Sequence, residues 1–124
     1  MGETAEIPPQ LQEQIARLQQ LQQTLQLLLS QKQQVDAELS ETDHAIEELQ
    51  KLGADAVVFK SVGAVLVRKG KVDLEKELTE KKELLSVRTS VLGKQEEKTK
   101  EKLRELEQTL QAKLRPAAGR MSPS

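Results

Sequence analysis

From Leu11 onward the apolar side chains recur at alternating steps of three and four. Leu11, Leu18, Leu25, Lys32, Leu39 and Ile46 hold one row of a heptad, and Gln14, Leu21, Leu28, Val35, Thr42 and Leu49 hold the other. Nine of those twelve positions are apolar, the pattern of a helix that buries a narrow seam against a second helix. Pro8 and Pro9 supply the start, since a proline in the first turn forfeits no helical hydrogen bond. The pattern predicts a first helix over residues 10–52, preceded by an N-terminal arm, 1–9. Glutamine is abundant between Gln10 and Gln34, yet the leucines there keep the heptad phase, which a disordered glutamine tract has no reason to do.

The period changes at Gly53. Ala56 to Val62 and Ala64 to Arg68 are two short β-prone runs separated by Gly63, which predicts a hairpin inside an assembly region, 54–72. Alternation sends Val57, Phe59 and Ser61 to one side and Val58, Lys60 and Val62 to the other, so neither face is polar and both require cover. A second helix is expected over 73–115, capped by Asp73, striped by Leu74, Leu78, Leu85, Leu92, Leu103, Leu106, Leu110 and Leu114, and stopped by Pro116. On this reading Lys81, Arg88 and Gln95 fall in the seam. The leucine phase also slips by one residue between Thr99 and Leu103, as a stutter would. Lys32 and Arg88 are assigned to control of coil register. Residues 116–124, containing Pro, Gly and Ser, are expected to be unstructured.

Two helices of equal length, roughly 65 Å each at the standard rise, predict a folded-back pair. The expected class is mainly α: a long antiparallel coiled-coil helical hairpin with a β-hairpin at the bend. A lone two-stranded hairpin is marginal, and its open edges invite pairing. Val57, Val58, Phe59, Val62, Gly63, Val65, Leu66 and Val67 are therefore the candidate assembly residues, expected to join hairpins of other chains in an oligomeric β-barrel platform. At the far end Ile7, Leu11, Ile15 and Leu18 are set against Leu110 and Leu114 where the pair frays. These six are the candidate client-binding residues, able in several copies to hold an unfolded chain through many weak contacts.

Composition narrows the chemistry. Phe59 is the single aromatic residue and 31% of side chains are charged, which leaves little for a compact enzyme core. Cysteine is absent, so neither disulfides nor thiolate chemistry arise. His44 occupies an outward heptad position, Ser61 lacks a positioned base, and Gly53, Gly63 and Gly70 do not space as a phosphate loop. No catalytic residue, metal or cofactor is expected. Net charge is −1 but uneven, with acids gathered between Val35 and Leu52 and with Lys60, Arg68, Lys69 and Lys71 making the middle basic. Four charges and one aromatic make a thin nucleic-acid footprint. No run approaches the roughly 20 apolar residues of a membrane span. A soluble cytoplasmic protein is expected, with neither nucleic acid nor membrane as partner. A tether that spaces other proteins without holding unfolded chains is the competing class.

The hairpin also carries a resemblance. Val58 to Arg68 reads VFKSVGAVLVR, similar to the V-Y-K-x-V-G-x-x-L-V-K hairpin of archaeal prefoldin β subunits. Pro8-Pro9-Gln10, Gln31 to Gln33, the Arg88, Leu92, Gln95-Glu96 run and the Glu101-Lys102 pair also resemble that family, over about residues 7 to 115. The resemblance implies a subunit of a heterohexamer with prefoldin α-type subunits, two α and four β, whose hairpins build a double-barrel platform. It implies an ATP-independent chaperone whose coil tips take up nonnative client proteins and pass them to a group II chaperonin. One hairpin between the helices points to the β type. Phe59 stands where the family usually has Tyr, and the tail after Pro116 has no counterpart in the pattern.

Overall fold

The structure is a computed structural model that describes residues 7–121. It is mainly helical, in the order α1 (Pro9–Gln50), β1 (Val58–Val62), β2 (Val65–Lys69) and α2 (Lys71–Met121). Met1 to Glu6 of the expected arm and Ser122 to Ser124 of the expected tail lie outside the described residues.

Local chemistry places each boundary. The Gln12 amide donates to the Pro8 carbonyl at 3.0 Å, so Pro8 caps α1 and Pro9 takes the first helical position. At the other end, Lys51 and Leu52 donate to Glu48 and Leu49, bonds of the tighter three-residue kind. The regular helix therefore closes at Gln50, two residues before the expected end. Ala56 donates to Gly53 at 3.1 Å, which commits it to a turn, so β1 begins at Val58. Gly63 has a φ of 58° and is the one residue with positive φ among those described. With Val62 paired to Val65, Gly63 and Ala64 form a two-residue connection with glycine first, the pattern of a type II′ hairpin turn.

The expected cap of the second helix is corrected. Leu74 donates to Gly70 at 3.0 Å, so Gly70 is the cap and α2 starts at Lys71. Asp73 falls in the first turn, where its carboxylate complements the helix dipole. It also lies close over the cap, since a Cβ on Gly70 would stand 3.3 Å from its Oδ2. Nor does Pro116 end the helix: α2 continues to Met121. A proline inside a helix forfeits a hydrogen bond and crowds the carbonyl of the preceding turn, yet the helix runs on through it into Ala117 and Ala118, the strongest of helix formers. The expected unstructured tail is thus helical over its described part, and the helices are unequal, at 42 and 51 residues.

The chain forms two compact units, Gln31–Leu92 and the flanking segments Met1–Ser30 with Gly93–Ser124. In the first, the helices run antiparallel, because Asp36 meets Thr89 while Asp43 meets Lys82. Its core cluster joins Leu49 at the end of α1, Val58 on β1 and Leu74 on α2, with Leu78 packed against them. In the second unit, Leu28, Thr99, Leu103 and Leu110 are buried, and Lys113 donates to the Gln14 side chain at 2.8 Å.

Every one of the twelve α1 heptad positions is buried or half-buried, as the pattern predicts. In α2 the seam differs from expectation. Lys81, Arg88 and Gln95 are exposed, and the row that turns inward is Leu85, Thr89, Leu92, Glu96, Thr99, Leu103, Leu106 and Leu110. These residues alternate four and three without interruption, so there is no stutter after Thr99 and Arg88 takes no part in register. The two buried threonines of the seam satisfy their hydroxyls locally: Thr42 donates to the Glu38 carbonyl and Thr99 to that of Gln95.

Candidate functional site

The hairpin register is Val58 with Lys69, Phe59 with Arg68, Lys60 with Val67, Ser61 with Leu66 and Val62 with Val65. Residues opposite one another share a face, so Val58, Lys60, Val62, Val65, Val67 and Lys69 form one face and Phe59, Ser61, Leu66 and Arg68 the other. The first face turns toward α2 at its base, through Val58, Lys60 and Lys69, while Val62, Val65 and Val67 further along it stay exposed. Val58 is 7% exposed in the core cluster. Lys60 donates its amine to Oε1 of Glu77, and the Lys69 amine stands 3.8 Å from Oε2 of the same carboxylate. The hydrogen bond from Lys60 holds the Glu77 carboxyl below its ordinary value, and both lysine charges add to that effect against some desolvation. Lys71 braces the base, donating to the Leu52 carbonyl at 2.6 Å while pairing with Glu75 at 3.5 Å; a cation there suits the C-terminal end of α1.

The second face has no cover. Phe59 is 55% and Leu66 69% exposed, and at the tip Val62 and Val65 are also open. Of the eight expected assembly residues, Val58 is committed to the chain's own core. Val57, Phe59, Val62, Val65, Leu66 and Val67 stand in solvent with an apolar surface that isolated chains seldom leave bare, and Gly63 makes the turn that presents them.

The six candidate client-binding residues divide differently. Ile7 and Leu114 are exposed, the latter at 60%. Leu11, Ile15 and Leu18 are half-buried. Leu110, at 8%, is packed inside its unit, so it becomes available only if the end of the helix pair opens. Leu27 and Leu29, off the seam, add exposed apolar surface to the same unit.

Sequence reasoning missed two features. Glu77 carried no signal as a partner of the hairpin, because the two lysines that converge on it sit on different strands and come onto one face only in the observed register. Leu84, Val87 and Val91 are exposed on α2, on the side turned away from Leu85, Thr89 and Leu92; a second apolar stripe is visible only once the first is correctly phased. Among the described residues, no helix is long and apolar enough to cross a membrane.

Comparison with known proteins gives a consistent picture. The pattern of the prefoldin subunit family matches residues 12–117. A prefoldin subunit beta of Archaeoglobus fulgidus is 50% identical over 114 residues, covering 92% of this chain and 98% of that one. A prefoldin subunit beta of Pyrococcus furiosus is 48% identical over 110 residues, covering 89% and 94%. The crystal structure of the prefoldin beta subunit from Thermococcus strain KS-1 superposes with a TM-score of 0.80 at 46% identity, over 90% of this chain and 97% of that one.

Proposed function

The chain belongs to the prefoldin subunit family, and within such a chaperone assembly we propose that it acts as an ATP-independent holdase subunit. Its hairpin joins those of α-type companions and further copies in a barrel platform, in the proportion of two α to four β. The ends of its helices take up nonnative proteins and release them to a group II chaperonin in the cytoplasm.

The observation that carries the assembly half is the bare apolar surface of the hairpin, with Phe59 and Leu66 opposite Arg68 and Ser61 on an unpaired two-stranded sheet. Such a sheet is stable when other strands complete it. The exposed Ile7 and Leu114, with half-buried Leu11, Ile15 and Leu18, support the capture half. Each contact of that kind is weak, and several chains on one platform make them effective together.

The test mixes the chain with an α-type companion and follows aggregation of a chemically denatured protein in the absence of ATP. Suppression by the full complex, and its loss when residues 1–15 and 110–124 are removed from a complex of unchanged mass, is the expected result. A truncated complex that still suppresses aggregation would exclude the helix ends. A full complex that never suppresses it would leave a tether as the correct reading.

A further inference from the structure

The hairpin carries apolar residues on both faces, so its sequence does not say which side a neighbouring chain receives. Three contacts settle the chain's own use of one face. Val58 is buried against Leu49 and Leu74, and the amines of Lys60 and Lys69 both reach Glu77. In the register observed, Lys60 faces Val67 and Lys69 faces Val58, which makes the two lysines diagonal neighbours on one face. One carboxylate, one oxygen to each amine, is therefore tied to both strands. Val58 anchors the base of β1, whereas the ion pairs add the base of β2 through Lys69, opposite Val58, and a point further out on β1 through Lys60, where together they oppose rotation about that anchor.

We propose that Glu77 is a positioning residue for assembly: by holding Lys60 and Lys69 it seats the base of one face of the hairpin on α2 and leaves the Phe59, Leu66 and Arg68 face to receive a neighbouring subunit. This rests on the reading of the hairpin as the assembly element. Glu77 and its lysines are all partly exposed, so the contribution is to orientation, and the helices form without it. Without the clasp the hairpin pivots on Val58 and presents a mixture of faces, and a closed ring of strands tolerates no such mixture.

The experiment uses the full chain mixed with its α-type companion, with native mass spectrometry for assembly and circular dichroism of the chain alone for helix content. Glu77→Lys sets three cations together and is expected to lose most of the complex while helix content stays at the parent value. Adding Lys60→Glu and Lys69→Glu to Glu77→Lys restores opposite charges and is expected to restore the complex. Leu66→Asp, on the face left open, is the control and is expected to abolish assembly. A complex that survives Glu77→Lys but not Leu66→Asp overturns the positioning role alone. Failure of the charge-reversed triple variant to recover, or loss of helix content in Glu77→Lys, overturns it as well. A complex that survives Leu66→Asp removes the assembly reading itself, and the role of Glu77 with it.

Discussion

Lys82 and Asp43 meet across the two helices of the Gln31–Leu92 unit, with the lysine amine 2.7 Å from Oδ1. The hydrogen bond to Asp43 raises the Lys82 pKa above its ordinary 10.5, reinforced by the charges of Asp43 and Glu47. A pKa raised on folding contributes stability that is fully present below the unfolded value and is lost as pH rises through the folded one. Thermal unfolding followed upward from about pH 9 should show an alkaline loss of stability that is shallower in Lys82→Met. Both side chains are well exposed, so roughly 1 M salt should shrink the difference between the two proteins.

Arg88→Leu separates the two possible seams of α2. Had Arg88 faced the partner helix, leucine there would stabilise the coil. Arg88 is exposed, and the substitution should change unfolding free energy by less than about 0.5 kcal/mol. It would instead widen the apolar stripe of Leu84, Val87 and Val91. Urea denaturation measures the first effect, and light scattering at high concentration measures the second. A gain of about 1 kcal/mol or more would restore Arg88 to the seam.

That contrast shows what was legible in the sequence and what was not. In α1 both heptad rows are mostly leucine, and each position read from them is buried or half-buried. In α2 the row Leu78, Leu85, Leu92, Thr99, Leu106 is clear, but a single row at seven-residue spacing does not say whether its companion lies three or four residues on. Lys81, Arg88 and Gln95 fit one choice; Thr89, Glu96, Leu103 and Leu110 fit the other. Thr89 and Glu96 hid the true row because they are polar. Thr89 lies at the seam with its hydroxyl donated to Asp36 at 2.5 Å, and Glu96 pairs with Lys100 at 2.7 Å. The hairpin was legible from Gly63 and its flanking valines, whereas the cap at Gly70 and the pairing of Glu77 with Lys60 and Lys69 depend on contacts that no periodicity encodes.

Leu74→Ala should destabilise the chain by about 2 to 5 kcal/mol, the range for emptying a buried leucine site, because Leu74 is the α2 member of the cluster with Leu49 and Val58. Leu84→Ala, ten residues on and 72% exposed, should cost under about 0.5 kcal/mol. Equal denaturation midpoints for the two variants would refute the placement of the core.

Gly63 offers a cleaner test of backbone cost, since nothing lies within 4 Å of a Cβ built there. Any penalty for a side chain must come from its φ of 58°. Gly63→Val should lower stability by about 1 to 2 kcal/mol, and Gly63→Asn by distinctly less, because asparagine enters the left-handed region more readily. Thermal unfolding of the complex reads both, and a ranking in the opposite order would mean that the turn is formed differently.

The bare valines and leucine of the hairpin bear also on how much of this chain a cell can safely make. A copy translated without a waiting companion carries an open strand edge beside Val65 and Leu66, a template for any extended polypeptide nearby. Surplus copies are then a burden for proteases. On the proposed reading of the hairpin as the assembly element, matched synthesis of the different subunits becomes a requirement written into ten residues of sheet, and dosage imbalance is where its neglect would first be felt.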